Sequence, residues 1–538
     1  MADVAAILRP FFDSPSETTD GSSSTSSSPL LILFFSASWC VPANDQLHVK
    51  LQTVLASPAT HLPTVFFSAD LDQFQFTEHI DGMTWTDVFP FNRRDDMLRI
   101  YRHFDVDTIP RVLVIDCDMK ILSTDSILTH LGLPASSSPD AAHLLALLHH
   151  DDRADVVSLN TVPVDDTDEE MLHAMRQNAN DMYDEGNFHG AASVFSEVLA
   201  LRPSCSRSNF NLAVILHTMG LSPFDSSFMP RVGQTHLAVR YMLRVIDSDP
   251  NDATAHSVLR TVFFTLEPTL VLQGYEDIVA RHPDHARAAH SLNALRGDAT
   301  TSEPRYVRQV FDELSDTFEE KLVQHLHYKV PWQLLDLVKA TTPLATSQGQ
   351  TWRVVDLGCG TGLCGRLFKP FVHHMLGVDL SPLMVDKARE LGSYDALYAD
   401  ELLPVLQKLP DASVDLILSA DVWIYVGALE LVFQAMRRVM KPATASTDGD
   451  DAASPPASYV AFSIEEFVPT ESSSSSSSAS EPQLEYQLVH SGRFQHSRQY
   501  IARMANDYGF RIVASDAIVV RQESLEPIPG VNYVLEAI

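Results

Sequence analysis

Residues 352–368 read WRVVDLGCGTGLCGRLF. The apolar run Val354-Val355 leads into Asp356, and glycines follow at 358, 360 and 362 before a helix-forming stretch. Glycines at a strand–helix turn let the backbone approach a ligand closely, and the helix N-terminus favours an anionic or polar group there. Further apolar runs follow in a regular order. HMLGVDLSP from His374 ends a second strand in Asp379, and ALYADELLP from Ala396 places Asp400 and Glu401 after a third. SVDLILSADVWIYVG from Ser413 gives a fourth, with Ser419, Ala420 and Asp421 at its end, and ASYVAFSIEEF from Ala457 gives a fifth. A helix and sixth strand are expected in SRQYIARMANDYGFRIVASDAIVVRQ from Ser497, and NYVLEAI from Asn532 can close the sheet as an antiparallel seventh.

Two cofactor readings meet in the glycine segment. Gly360, Gly362 and Gly365 satisfy GxGxxG with Asp379 downstream, as in nicotinamide-dinucleotide sites. That register forces the strand through an acid and a glycine. If the turn starts just after Asp356, the pattern is D-x-G-x-G-x-G, which resembles the glycine-rich motif of class I S-adenosylmethionine-dependent methyltransferases. The acid positions and strand order agree with the second register. The resemblance implies S-adenosyl-L-methionine as cofactor. It assigns Asp356, Gly358, Cys359, Gly360 and Gly362 to the methionine part, and Asp379 with Leu380 to the ribose. Asp400 and Glu401 go to the adenine, and Ser419 and Ala420 to the active-site end of the fourth strand. The segments EPRYVRQVFDELSDTFEEKLVQHLHYKVP from Glu303, ADVWIYVGALE, FSIEE and SGRFQHSRQYI more closely resemble predicted methyltransferases fused to tetratricopeptide repeats. In such proteins the segment from Tyr306 would be a helical lid. Candidate acceptor-side or catalytic residues are Tyr306, Asp421, Tyr425, Glu465, His490, Arg493 and His496. No Asn-Pro-Pro-Tyr-type tetrad of amino-methylating nucleic-acid enzymes follows the fourth strand.

Upstream, residues 34–45 read FFSASWCVPAND. The apolar runs LLILFFSAS from Leu30, PTVFFSADLD from Pro63 and PRVLVIDCD from Pro110 read as buried parallel strands, with a helix after Pro42. Trp39-Cys40-x-Pro42, Trp85 with Phe89-Pro90-Phe91, and FDVDTIPRVLVID resemble the thioredoxin fold, in its tryparedoxin/nucleoredoxin branch. The resemblance implies a redox role for Cys40 with Pro110 as a facing cis-proline. Its second thiol is missing, because position 43 is Ala. A dithiol cycle needs a resolving thiolate within the motif, so Cys40 is left as a monothiol or a structural residue.

Between these regions, NANDMYDEGNFHGAASVFSEVLALRP from Asn178 reads as two helices around Gly186 and resembles a tetratricopeptide repeat. The offsets of Ala191, Phe195 and Pro203 recur at Ala238, Met242, Pro250 and at Val271, Tyr275, Pro283. Pro250 and Pro283 lie close to the ~34-residue period. Extra residues between Gly220 and Ala238 read as a loop between paired helices. Such repeats imply either a concave surface for a peptide or protein partner or a spacer that helps the next domain to pack.

The organisation expected is therefore multidomain, α/β and all-α: a thioredoxin-like domain over 1–150, helical repeats over 170–298 and a seven-stranded Rossmann-like methyltransferase domain over 300–538. VDDTDEEM from Val164 reads as a linker into a helix, with Asp165 and Asp166 at its N-terminus. Ser-rich tracts from Gly21, Ala135 and Glu471, and a polar insert from Ala443, read as solvated loops. Lys+Arg number 38 against 70 Asp+Glu, a formal net charge of −32, which argues against nucleic acid or anionic membrane as partner. The 5 cysteines are scattered, without zinc-site spacing, and fit a reducing compartment; no metal is expected. The N-terminus lacks signal-peptide features, no apolar run is long enough to span a bilayer, and a cytoplasmic location is expected. The function expected is methyl transfer from S-adenosylmethionine to a small-molecule or protein acceptor. The alternative is a monothiol redox or scaffold protein whose methyltransferase fold binds cofactor without turnover.

Overall fold

Two apolar runs form the centre of the N-terminal sheet: β1 (Leu30–Ser36) and β2 (Thr64–Ser68) are buried at every position. With β3 (Asp87–Val88) and β4 (Arg111–Asp116) they give the order β3-β2-β1-β4. β2 runs parallel to β1 and to β3. β4 pairs antiparallel to β1, with Leu33 opposite Leu113, which corrects the all-parallel expectation. A continuous apolar run reports burial on both faces and carries no information on strand direction. The helices are α1 (Ala2–Phe12), α2 (Ala43–Ala56), α3 (Gln73–Ile80) and α4 (Arg94–His103). Leu47, Leu51 and Val54 of α2 pack against Ile32, Phe34, Phe66 and Val114 on one face of the sheet. On the other face Phe35 stacks on Phe67 (4.9 Å), Phe67 stacks on Phe89 (4.9 Å), and Tyr101 of α4 meets Phe35 edge-on at 5.0 Å.

This computed structural model describes residues 2–12, 29–37, 40, 43–56, 62–70, 73–80, 83, 87–90, 92–104, 106, 109, 111–123, 126–127, 131, 166–220, 232–297, 299–319, 326–346, 349–441, 457–467, 484–523 and 526–538. Trp39, Pro42, Trp85, Phe91, Pro110 and Asp165 lie outside the described residues, as do the Ser tracts and the Ala443 insert. The chain forms two units, Met1–Ile278 and Val279–Ile538.

The first unit continues as helices α5 (Asp166–Asp184), α6 (Phe188–Leu201), α7 (Ser206–Gly220), α8 (Val232–Ser248), α9 (Ala253–Val258) and α10 (Pro268–Arg281). Gly186, at φ 81°, makes the α5–α6 turn, and Asn187 caps α6 by accepting from the Gly190 N–H at 3.0 Å. The repeated positions Ala191, Phe195, Ala238, Met242, Val271 and Tyr275 are all buried. A Cβ on Gly274 would lie 2.4 Å from Leu243, so a small residue is what lets α10 approach α8. The helices share their unit with the four-stranded sheet. Arg102 of α4 donates to the buried Glu267 at 2.6 Å, and Tyr101 meets His236 edge-on at 6.3 Å. These contacts tie the helices to the sheet within the first unit.

The second unit holds α11 (Ala286–Arg296), α12 (Pro304–Leu314), α13 (Val330–Thr341) and then alternating strands and helices. These are β5 (Arg353–Leu357), α14 (Leu363–Phe368), β6 (His374–Asp379), α15 (Pro382–Glu390), β7 (Ala396–Ala399), α16 (Leu402–Lys408), β8 (Leu416–Ser419), α17 (Glu430–Val439) and β9 (Tyr459–Glu465). A short hairpin, β10 (Tyr486–Leu488) and β11 (Phe494–His496), precedes α18 (Arg498–Asp507), β12 (Phe510–Glu523) and β13 (Glu526–Ala537). The sheet order is β12-β13-β9-β8-β5-β6-β7. β5 to β9 are mutually parallel, and β13 is antiparallel to both β9 and β12. The seven strands fall where the apolar runs place them; the β10–β11 hairpin was not expected. No helix among the described residues is long and apolar enough to cross a membrane.

Candidate cofactor and acceptor site

β5 and β6 lie side by side and end together, so the loops after them converge. After β5 the chain turns at Gly358 (φ 72°), Gly360 (φ 52°) and Gly362 (φ 98°), conformations that side chains rarely adopt. The Gly358 and Cys359 N–H groups both donate to the Val378 carbonyl, at 2.8 and 2.9 Å, which ties the loop to β6. Gly358 also has no room for a side chain: a Cβ would sit 2.3 Å from Val422.

Asp379 closes the arrangement. Its Oδ2 accepts from the Gly360 N–H at 2.8 Å and its Oδ1 from the Ser381 N–H at 2.9 Å. Burial pushes its carboxyl up to about 6, against the lowering effect of those backbone donors. Each oxygen keeps lone pairs for a ligand.

Asp356 is placed differently from the expectation that it meets the cofactor. It does not line the cavity described below. Its Oδ2 accepts from the Tyr394 hydroxyl at 2.6 Å, and its Oδ1 has no partner among the described residues. Burial pushes it up to about 7, with Tyr394 lowering it and Asp379 raising it. Tyr394 also accepts from the Gly365 N–H at 3.0 Å, and a Cβ on Gly365 would meet its ring at 2.4 Å. Tyr394 is thus a strut under the glycine loop. Only its position before β7 could have signalled it in the sequence.

A cavity of ≈ 280 Å³ opens at these strand ends. At one end it is lined by Gly358, Gly360, Asp379, Leu380, Glu401 and Leu402, and at the other by Tyr328, Ala420, Asp421, Tyr425, Arg493 and Arg521. Val307, Phe311, Leu314 and Phe318, on and just after α12, cover it. Ser381 Oγ donates to Asp312 at 2.5 Å, Arg308 donates to the Leu380 carbonyl at 3.2 Å, and Thr361 donates to Glu319 at 3.0 Å. α12 and the turn after it are therefore pinned to both loops.

Other expected residues fall outside the cavity lining. Cys359 and Cys364 are buried thiols held well above the usual thiol range by burial. Gly362 faces α15 and Tyr394. Asp400 pairs with Lys408 at 3.0 Å on the surface, leaving Glu401 as the acid that reaches the cavity. Ser419 is fully buried, and its Oγ has no partner among the described residues.

At the end of the cavity away from Asp379, Asp421 has φ 59°, a left-handed conformation that costs a non-glycine residue on the order of 1–3 kcal/mol. Its N–H donates to Ser463 Oγ at 2.8 Å and its carboxylate pairs with Arg521 at 3.1 Å. Arg521, 3% exposed, also binds Glu465, and Glu523 at 3.1 Å, while Arg493 binds Glu523 as well. Three carboxylates and two guanidiniums thus form one network, in which each buried charge has a partner. An arginine directly after the apolar run Ile518–Val520 of β12 is the sequence signal for Arg521.

The remaining candidates separate. Tyr425 lines the cavity, and burial pushes its hydroxyl up to about 12. Tyr306 does not line it; its ring stacks on His290 at 3.8 Å. His490 is exposed and away from the lining. His496 is buried, with Nε2 within 3.0 Å of the Val426 and Gly427 carbonyls, and desolvation pushes it down to about 4. It is a neutral structural donor. Of the cluster from His490 to His496, only Arg493 reaches the cavity.

Residues 355–445 match the family described as a methyltransferase domain, and residues 29–121 a thioredoxin-like family. The C-terminal unit has a methyltransferase fold, and its cofactor is S-adenosylmethionine. A curated relative, the malonyl-[acyl-carrier protein] O-methyltransferase of Erwinia pyrifoliae, is 33% identical over 96 residues. That match covers 18% of this chain and 35% of the relative's length. Among solved structures, an S-adenosylmethionine-dependent methyltransferase from Mesorhizobium loti is 17% identical, covering 39% of this chain and 98% of that one, with a TM-score of 0.26. One from Methanosarcina mazei is 13% identical, covering 35% and 93%, with a TM-score of 0.25.

The residues present fit this cofactor. The side-chain-free backbone at Gly358 and Gly360, the Asp379 carboxylate with unused lone pairs, and Glu401 beside Leu402 and Leu403 all face one cavity. A Cβ at Gly360 would meet nothing nearer than Phe318 at 3.8 Å, so that backbone borders open space.

Proposed function

We propose that the C-terminal unit transfers the methyl group of S-adenosylmethionine to a small-molecule or protein acceptor. The three-part division of the chain into residues 1–150, 170–298 and 300–538 belongs to the same proposal. In it the tetratricopeptide-like helices recruit a protein partner, and the thioredoxin-like part docks or regulates. The observation that carries the catalytic reading is that Asp379 and Asp421 open on one covered cavity, so cofactor and acceptor can meet there. The cofactor supplies an electrophilic methyl on a sulfonium. The chain's contribution is positioning and exclusion of water. The Gly358 and Gly360 backbone and Asp379 hold the methionine and ribose parts, and Glu401 and Leu402 flank the adenine. Phe311, Leu314 and Phe318 keep water out.

Asp421, oriented by Arg521 and Ser463, is the carboxylate that can take a proton from a protonated acceptor. Tyr425 keeps its proton at neutral pH and serves as a hydrogen-bond donor. The Erwinia relative's name, an O-methyltransferase of a carrier-protein malonyl group, is compatible with either acceptor class.

Calorimetry with S-adenosylmethionine and with NAD tests the cofactor: binding of NAD alone would overturn the reading. Incubation with methyl-labelled S-adenosylmethionine and a cell extract, split into protein and small-molecule fractions, tests transfer. Label is expected in one fraction. Label in neither, with cofactor bound, favours the scaffold alternative.

A further inference from the structure

The acceptor end of the cavity presents more hydrogen-bond donors than acceptors. Glu465 and Glu523 do not line it; Oε1 of Glu465 accepts from Arg521, and Oε1 of Glu523 from both Arg521 and Arg493. Asp421 does line it, but both its oxygens face Arg521 Nη1, at 3.1 and 3.5 Å. Among the described residues, Arg493 uses only Nη1 in a hydrogen bond, to Glu523. A guanidinium has five N–H donors in a planar fork, so most of those of Arg493 remain for a ligand. The Tyr328 and Tyr425 side chains border the same space. The charged groups that line this end are two guanidiniums and one carboxylate. The covering wall is apolar, from Val307 and Phe311 to Leu326.

We infer that the acceptor is a carboxylic acid with an apolar body, bound with its carboxylate against the open edge of Arg493 and its chain under Val307 and Phe311. The inference rests on the methyltransferase reading for the word acceptor only, because the donor-lined end exists whatever occupies the cofactor end. A carboxylate matches the planar fork with two parallel charge-assisted hydrogen bonds. An alkylammonium would meet the two guanidiniums, and a neutral amide would forgo the ionic contribution.

The test is binding of straight-chain carboxylates from acetate to decanoate, with the matched amines and amides. It is read by calorimetry and thermal shift on the full chain, with and without S-adenosylhomocysteine. Carboxylates should bind, and more tightly as the chain lengthens, while amines should not. Arg493→Gln should weaken carboxylate binding by about tenfold or more, as loss of a charge-assisted hydrogen bond does. Arg493→Lys should retain part of it. Neither variant orphans Glu523, which keeps Arg521 at 3.1 Å, and a cooperative melt verifies the fold. Amines binding as well as acids, no carboxylate binding at millimolar concentration, or binding indifferent to Arg493→Gln would each overturn the inference. Carboxylate binding without any S-adenosylhomocysteine binding would leave it standing and sink the methyltransferase reading instead.

Discussion

The chain contains two strand–turn–helix sites, each with a buried aspartate at the end of the neighbouring strand, and they have opposite characters. In the first unit the chain passes from β1 through Cys40 to α2, and Asp70 follows β2. In the second it passes from β5 through the glycine loop to α14, with Asp379 ending β6. Asp70 is fully buried and satisfied from within: Ser68 Oγ donates to it at 2.7 Å and His79 Nδ1 lies 2.8 Å away. Among the described residues, Asp379 is satisfied only by backbone N–H groups, and it lines a cavity. The first site has closed its polar group with side chains; the second has kept lone pairs and space for a ligand. Similar local topology therefore says little about activity until the partners of the buried acid are known.

The largest expected effect tests the open site. Asp379→Ala removes both oxygens proposed to accept from the ribose. At about 1.5–3 kcal/mol for each hydrogen bond to a charged group, S-adenosylmethionine affinity should fall by at least ~100-fold in calorimetry. In the wild type the acceptor is the ionised form, and burial places its ionisation near about 6. Affinity should therefore rise between pH 5 and pH 7 and level off above. A flat profile, or unchanged affinity in Asp379→Ala, removes Asp379 from the ribose role.

Gly358→Ala tests whether the loop is built as tightly as its contacts indicate. The added Cβ would meet Val422 at 2.3 Å in a backbone conformation that only glycine adopts readily, so a loss of roughly 2–4 kcal/mol is expected in a denaturant melt. Gly186→Ala is the control from the helical region. Its φ is 81° but nothing lies within 4 Å, so only the conformational cost of ~1–2 kcal/mol applies. Equal losses would mean that the contact with Val422 yields freely.

A smaller effect concerns the acid beneath the loop. Asp356 is raised from 3.8 to about 7 on folding, so the folded state favours its protonated form. The stabilisation from that form is complete below about pH 4 and is lost as pH rises through about 7. The stability of wild type relative to Asp356→Asn should fall between pH 5 and pH 8, measured as the difference in Tm. Tyr394→Phe removes the hydroxyl that donates to Asp356 Oδ2 and should cost about 1–3 kcal/mol while moving that decline to higher pH. A Tm difference that grows with pH contradicts the assigned burial effect.

The strand order and the residues at the strand ends were legible because they follow local rules: apolar runs, glycines at a turn, acids after strands. Asp379, Gly358, Gly360, Glu401, Asp421 and Tyr425 were found that way, and all line the cavity. The partners that orient them were not. Arg521 reaches Asp421 across 100 residues of sequence, and Tyr394 reaches Asp356 across 38. Such pairings depend on tertiary closure, which a single sequence does not encode by spacing. For the same reason, spacing could not decide between a direct and a structural role for the histidines. His496 looks like a titratable ligand in sequence, yet the 426–427 turn takes up its ring N–H and desolvation keeps it neutral. The direction of β4 was hidden because burial, not pairing, shapes an apolar run.

The smallest expected effect belongs to the closed site. Cys40 is 1% exposed, and burial, with Asp70 adding to it, holds its thiol far above the usual range. The thiolate is the nucleophile, so native Cys40 should not react with a dipyridyl disulfide at pH 8, whereas the half-buried Cys117 and Cys205 should react first. Denaturant should then release Cys40. Cys40→Ser should leave S-adenosylmethionine affinity and methyl transfer unchanged, because a thiol that stays protonated inside a satisfied core offers nothing to couple. Rapid native labelling of Cys40, or loss of methyl transfer in Cys40→Ser, would break the contrast between the two sites and make the first a working monothiol centre.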